Sequence, residues 1–338
     1  METIWNLPLI ESMELTQVRE TRPAAVLSGH NSWAAVSSLL DLPIVAQAEP
    51  YSADIQYLND LASGLPEQTE VVYGIGGGLV CDAAKYIAYV NHLPCILIPT
   101  ALSVDGFFTA LVAVRKSGTV SYVTTGPAEK VIIDFDIVST APKNIRGAGI
   151  VEILSMTTGL LDWQYAAKAN KNTAQTRFQG WAAQVAASIA QQAYKIAAGV
   201  GEGRKDALRN LLDLICLEVQ LTNQLGHNRP QEGSEQYFAY AIEPRIARDS
   251  GIPYADLVGP GILIAATLHN QNVNSIKTTL ESAGVRLDQL KKDDIVYTIK
   301  TLPDYVRSHE LPYSIVHDQE FSYDAALDIV KRAGLDNQ

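Results

Sequence analysis

One stretch constrains this chain more than any other, the run from Tyr73 to Ala88: Tyr-Gly-Ile-Gly-Gly-Gly-Leu-Val-Cys-Asp-Ala-Ala-Lys-Tyr-Ile-Ala. A β-branched strand segment enters three consecutive glycines and leaves through good helix formers. Without Cβ atoms, Gly76, Gly77 and Gly78 let main-chain N–H groups approach an anion closely, and the positive end of the following helix adds to the attraction. A pyrophosphate fits over these glycines. Asp82 and Lys85 lie one helical turn apart and share a face, where they could brace the loop or touch what it holds. An isolated glycine cluster can also be no more than a tight strand-to-helix turn, and the order strand, glycines, helix is what lifts this instance.

A second buried strand follows, Pro94-Cys-Ile-Leu-Ile-Pro-Thr-Ala-Leu-Ser-Val-Asp-Gly106, and it ends in hydroxyls and one carboxylate. Open α/β sheets bind ligands at strand carboxyl ends. Thr100 and Ser103 are placed to hydrogen-bond a nicotinamide or its ribose, and Asp105 to orient a substrate hydroxyl. The alternative is that Ser-x-Asp-Gly is simply a good turn.

The surrounding pattern agrees with an α/β unit. Apolar runs of strand length recur from Ala24 to about Val138, with helix-compatible stretches between several of them. Runs apolar throughout, such as Ile96 to Ile98, imply strands covered on both faces, as in a parallel sheet flanked by helices. Lys116, Ser117 and Gly118 look like a hairpin turn joining Leu111–Arg115 to Thr119–Thr124. Past Pro142 the apolar residues recur at three- and four-residue spacing, as in 178–198 and 205–224, and the chain reads as a helical bundle. Breaks are expected at 199–203, 226–233, 251–253 and 259–261, where glycine and proline interrupt the helical signal. The expected fold class is an α/β amino-terminal dinucleotide-binding domain with a mostly parallel sheet over 1–141, followed by an all-α helical-bundle domain over 142–338. With 338 residues the chain exceeds the roughly 250–300 at which single cores stop growing.

Composition excludes several classes. A formal net charge of −11 with scattered lysines and arginines argues against a surface that tracks a phosphate backbone, so no nucleic acid is expected. Cys81, Cys95 and Cys216 form neither a metal knuckle nor a disulfide framework. No export signal and no apolar run of about 18 residues are read, so a cytoplasmic protein without membrane insertion is expected.

Taken together, the segments 76–88 and 98–109 resemble the iron-containing alcohol dehydrogenase and dehydroquinate synthase superfamily, and within it most closely the glycerol-1-phosphate dehydrogenases. The likeness runs on through 131–149, 148–163 and 229–243 to about Leu268. It implies an amino-terminal dinucleotide domain and an all-helical domain with the active site in the cleft between them, in a homo-oligomer. By resemblance Gly76, Gly77, Gly78 and Asp82 take the pyrophosphate of NAD or NADP. Thr100, Ser103 and Thr109 become further cofactor contacts, and Asp105 a substrate contact.

The departures fall on the metal. The family's dehydrogenases hold a divalent ion, usually zinc or iron, with a carboxylate and two histidines, and the ion polarises the alcohol. Here Glu152 stands at the carboxylate position, as in dehydroquinate synthases. Gln236, in Gly-Ser-Glu-Gln, stands at the first histidine position, and Tyr254 at the last. Tyr240 replaces a further histidine of the glycerol-1-phosphate branch. Glutamine is a poor zinc ligand and phenolate suits ferric-type ions, which makes a bound divalent metal doubtful. His227 or His269 could be a displaced ligand or general base, or a satisfied structural residue. Arg229 could bind a ligand phosphate or carboxylate, or cap a helix end.

The expectation is an NAD(P)-dependent oxidoreductase acting on a small polyol or polyol phosphate, with Asp105, Glu152, Tyr240 and Tyr254 as candidate catalytic groups and an atypical or absent metal. A tyrosine near the nicotinamide could be a bulky filler or could pass a proton to or from a substrate oxygen. Two alternatives stand beside this reading: a catalytically silent NAD(P)-binding sensor or assembly subunit, and a carbocycle-forming lyase like dehydroquinate synthase. The segment Gln47-Ala-Glu-Pro50 does not decide between NAD and NADP.

Overall fold

The computed structural model describes residues 3–116, 119–246 and 251–336, which leaves Ser117 and Gly118 of the expected turn outside the described residues. The chain forms two compact units, Met1–Pro142 with Gly203–Leu212, and Lys143–Glu202 with Asp213–Gln338.

The first unit holds β1 (Leu9–Ser12), β2 (Ala24–Ser28), α1 (His30–Val36), β3 (Ile44–Ala48), α2 (Ile55–Ser63), β4 (Val71–Gly76), α3 (Gly78–Val90), β5 (Cys95–Pro99), β6 (Leu111–Lys116), β7 (Thr119–Thr124), β8 (Lys130–Ile133) and α4 (Phe135–Thr140). Six strands pair in parallel in the order β1-β8-β5-β4-β2-β3. Side-chain character sets the order. Every residue of β2, β4 and β5 is buried, as strands covered on both faces require, whereas β1 and β3 show exposed residues and form the two edges. Alternate residues Val71, Tyr73 and Ile75 share one face with Ile96 and Ile98 and pack with Leu15, Val26 and Val36. On the opposite face α3 lies directly on β4: a Cβ at Gly74 would stand 2.6 Å from the Ala84 Cβ and 2.8 Å from Leu97 Cδ2. β6 and β7 pair antiparallel, as the hairpin reading required. Residues 205–212 of α7 (Lys205–Leu225) belong to this unit, where the Arg209 guanidinium sits 5.5 Å from the Phe135 ring and Lys205 pairs with Asp136.

The second unit is helical: α5 (Lys143–Lys168), α6 (Gly180–Gly201), the remainder of α7, α8 (Ser234–Ile242), α9 (Ala255–Leu268), α10 (Val273–Ala283), α11 (Lys292–Ser308) and α12 (Tyr323–Arg332). One expected break is absent. The helix α9 runs unbroken through Gly259-Pro260-Gly261. Its glycines serve packing rather than termination, because a Cβ at Gly261 would stand 2.3 Å from the Glu235 carbonyl oxygen of α8. Close backbone contact between α8 and α9 outweighs the hydrogen bond lost at Pro260. No described helix is long and apolar enough to cross a membrane.

Candidate active site

Strand order locates the first site. From β2 the chain moves outward to the edge strand β3, whereas from β4 it moves the other way, to β5 and then β8. The crevice beyond the carboxyl ends of β2 and β4 is therefore a topological switch point, the place where open α/β sheets take ligands. The glycines lie there. Gly76 ends β4 with φ +150°, a value that disfavours a side chain, and a Cβ on it would come within 3.2 Å of the Ser32 hydroxyl of α1. A Cβ on Gly78 would meet the Val104 methyls at 3.2 and 3.3 Å. At Gly77, which precedes α3, a Cβ would have only the Ser103 hydroxyl within reach, at 4.0 Å. No side chain caps α3 there, so its first-turn amides face this cradle with the helix dipole behind them. The cradle fits a diphosphate.

Hydroxyls line the rim. Ser32 and Thr100 are hydrogen-bonded through their hydroxyls at 3.1 Å, and Ser28 donates to the Ile75 carbonyl at 2.7 Å. Ser32 had no signal in the sequence, because its place depends on β2 lying beside β4. Glu49 belongs to the segment Gln47-Ala-Glu-Pro50, which left the choice between NAD and NADP open. It follows β3, and its carboxylate accepts the His30 amide at 2.9 Å, at the start of α1 and beside Gly29.

Asp82 and Thr109 sit in a bracing network behind the glycines. The buried Lys85 ammonium donates to the carbonyls of Gly106, Thr109 and Leu111 at 2.9, 2.7 and 2.7 Å, which ties the loop carrying Asp105 to α3. The Thr109 hydroxyl donates to the Leu111 carbonyl at 3.0 Å. Burial raises the Asp82 carboxyl to about 7 and the nearby Asp105 charge adds to the rise, against the pull of Lys85. Asp105 opens a short 3-10 turn, Asp105–Phe107, at the end of this loop.

In the helical unit the metal positions fall on three elements. Glu152 lies on α5, Gln236 and Tyr240 lie one turn apart on the same face of α8, and Tyr254 precedes α9; α5 packs against both α8 and α9. All four side chains are half-buried. The Tyr254 hydroxyl donates to Gln236 Oε1 at 3.0 Å, and the Tyr240 hydroxyl donates to Glu232 at 2.9 Å. Among the described residues no group of three or more His, Cys, Asp and Glu side chains could hold a metal ion. An amide oxygen and a protonated phenol bring no negative charge to a divalent cation, so this donor set does not fit the family's metal.

The histidines and Arg229 have structural partners. His227 accepts the Arg229 amide through Nδ1 at 3.2 Å and packs edge-on against Trp163, and burial together with the Arg229 charge lowers it to about 4, which keeps it neutral. Arg229 is buried and donates to the Glu232 carbonyl, the Tyr237 hydroxyl and the Tyr313 carbonyl. His269 bonds Asp162 at 3.0 Å. Asp162 also accepts the amides of Ser234 and Ile315, at 2.7 and 2.8 Å. Burial pushes the Asp162 carboxyl up, but the His269 bond and these amides hold it below its ordinary value. Next to it, Glu235 accepts from the Thr158 hydroxyl at 2.8 Å and the Gly233 amide at 2.7 Å, and burial, reinforced by the Asp162 charge, raises it to about 8. This buried cluster fixes the start of α8, and therefore the position of Gln236 and Tyr240.

Comparison with known proteins agrees with the motifs. Residues 11–142 match the family model for iron-containing alcohol dehydrogenases. The NAD(P)+ glycerol-1-phosphate dehydrogenase of Sulfurisphaera tokodaii is 27% identical over 285 residues, covering 83% of this chain and 79% of that protein. Over residues 11–142 the chain is similar to the iron-containing alcohol dehydrogenases. A second glycerol-1-phosphate dehydrogenase, from Saccharolobus islandicus, is 26% identical over 330 residues, 95% of this chain and 92% of that one. The crystal structure of glycerol dehydrogenase from Schizosaccharomyces pombe superposes with a TM-score of 0.70 at 17% identity, covering 99% of this chain and 92% of its own. The alcohol dehydrogenase fold, an α/β unit with a parallel sheet and a helical remainder, thus extends over the whole chain.

Proposed function

We propose that the chain is an NAD(P)-dependent oxidoreductase acting on a small polyol or polyol phosphate. The observation that carries the reading is the side-chain-free cradle of Gly76, Gly77 and Gly78 at the switch point, with an uncapped helix behind it and the hydroxyls of Ser32, Thr100 and Ser103 around it. The names of the glycerol-1-phosphate dehydrogenase relatives support both the dinucleotide and the substrate class.

In this reading the main-chain amides of Gly77 and Gly78 hold the diphosphate, while Thr100 and Ser103 orient the nicotinamide end. Nicotinamide, when bound, supplies the hydride acceptor or donor. Asp105 orients a substrate hydroxyl. In the helical unit Tyr254, bonded to Gln236, and the carboxyl of Glu152 are the candidate groups for proton transfer. Free thiols at Cys81, Cys95 and Cys216 suit a reducing cytoplasm, and the family likeness supports a homo-oligomer.

A second reading, dinucleotide binding without turnover, is favoured by one observation: two of the three metal positions are occupied by residues bonded to each other. One experiment separates the two. Calorimetry with NAD+ and NADP+ measures binding, and absorbance at 340 nm with a panel of polyols, polyol phosphates and ketose phosphates measures turnover. Gly77→Ala is the diagnostic variant, because the new methyl has room in the folded chain and obstructs only an approaching anion. Its Tm is expected to match the parent while dinucleotide affinity falls by roughly tenfold or more. Parent protein that binds neither coenzyme refutes both readings.

A further inference from the structure

We infer that Gln236 and Tyr254 form a metal-free clasp at the position where a divalent ion would be held, so that the stability of the helical unit does not depend on a divalent metal. The inference rests on the reading of Glu152, Gln236 and Tyr254 as the metal positions and deepens it. The donor on one side is a phenol O–H and the acceptor on the other is a neutral amide oxygen, 3.0 Å apart, so a proton already satisfies both atoms. A divalent cation entering between them would have to break that bond and either displace the phenol proton or rely on one carboxylate, Glu152 on α5.

The surroundings are built for the clasp. Directly beside Gln236, the Glu235 carbonyl leaves no room for a Cβ at Gly261, so the backbones of α8 and α9 are in contact. Glu235 itself is held by Thr158 and by the Gly233 amide. Tyr254 then crosses from the start of α9 to α8, and Tyr240, one turn along, is anchored on Glu232 rather than offered to an ion. A bridging ion ties two helices through charge and coordination. Here the same two helices are joined by a neutral hydrogen bond on top of direct backbone packing.

The test uses the full chain, dialysed against EDTA and then given Zn2+ or Fe2+. The parent is expected to retain substoichiometric metal by elemental analysis and to show the same Tm with EDTA, with Zn2+ and with Fe2+. The double variant Gln236→His with Tyr254→His is expected to bind one equivalent of Zn2+ and to gain Tm when Zn2+ is added. Tyr254→Phe is expected to lose a little Tm equally in EDTA and in Zn2+. One equivalent of metal in the parent with an EDTA-reversible rise in Tm, a Zn2+-rescued Tm in Tyr254→Phe, or a folded double variant indifferent to Zn2+ would each overturn the inference. Should the double variant not fold, the parent and Tyr254→Phe measurements decide. Dinucleotide calorimetry in the same buffers keeps the two claims apart, since loss of coenzyme binding in every buffer defeats the proposed function while leaving the clasp result as it stands.

Discussion

Replacing Glu235 by glutamine should make the helical unit more stable in alkaline buffer. Glu235 is buried at the start of α8, and its carboxyl rises from an ordinary 4.5 to about 8, chiefly because burial disfavours its charge and secondly because Asp162 lies beside it. Below pH 4.5 the folded and unfolded chains both hold the proton, and the group does not make stability depend on pH. Between pH 4.5 and about 8 the unfolded chain has released a proton that the folded chain keeps, so stability falls as pH rises, and the loss is complete above 8. A shift of about 3.5 units corresponds to at most roughly 5 kcal/mol. Glutamine preserves the shape: its oxygen can accept the Gly233 amide, and its NH2 can donate to the Thr158 oxygen, whose own hydroxyl turns to the Ser155 carbonyl 3.3 Å away. Glu235→Gln is therefore expected to match the parent near pH 5 and to exceed it by several degrees in Tm at pH 9, given that 1 kcal/mol moves Tm by about 2–4 °C in a unit of this size. Thermal unfolding followed by circular dichroism from pH 5 to 10 reads the difference. Parallel pH profiles for parent and variant would show that Glu235 is ionised in the folded chain and that its burial does not govern its charge.

Two more substitutions probe the amino-terminal unit. Lys85→Met leaves the Gly106, Thr109 and Leu111 carbonyls without their shared donor, which should cost roughly 3 kcal/mol or more and weaken coenzyme binding by loosening the loop that bears Asp105; an unchanged Tm would refute the bracing role. Glu49→Ala removes the carboxylate beside the start of α1, and with the adenosine ribose seated there the ratio of NADP+ to NAD+ affinity is expected to rise about tenfold by calorimetry. A ratio unchanged from the parent would place the ribose elsewhere.

What could be read in advance was whatever the chain encodes locally. Strand, three glycines and helix are contiguous, so the cradle was legible, and the fully apolar runs of β4 and β5 announced buried parallel strands. Ser32 was not legible as a site residue, because it reaches the cradle only through the adjacency of β2 to β4, and strand order is not written in periodicity. The cluster of Thr158, Asp162, Glu235 and His269 joins residues up to 107 positions apart, and no spacing rule links them. At Gly259-Pro260-Gly261 the local signal pointed the wrong way: the residues read as a break, but contact with α8 demanded small side chains and kept the helix intact. Arg229 and His227 had open alternatives in the sequence, and the fold gives each internal partners while leaving His227 Nε2 and Arg229 Nε buried without one.

The two units differ in how a ligand would be held in each. A diphosphate is gripped by main-chain amides and a helix dipole, which survive most side-chain changes as long as the three glycines stay bare. A metal site depends on side-chain donors alone, and losing one imidazole leaves its neighbour without a function. At that point a partner for the orphaned position is worth more than a lone ligand. The Gln236 oxygen and the Tyr254 hydroxyl are complementary acceptor and donor, whereas either one opposite an imidazole would offer an ion only a neutral pair beside Glu152. The two side chains satisfy each other in a region where α8 is already fixed by a buried acid cluster and by backbone contact with α9, so the pair keeps its geometry without an ion.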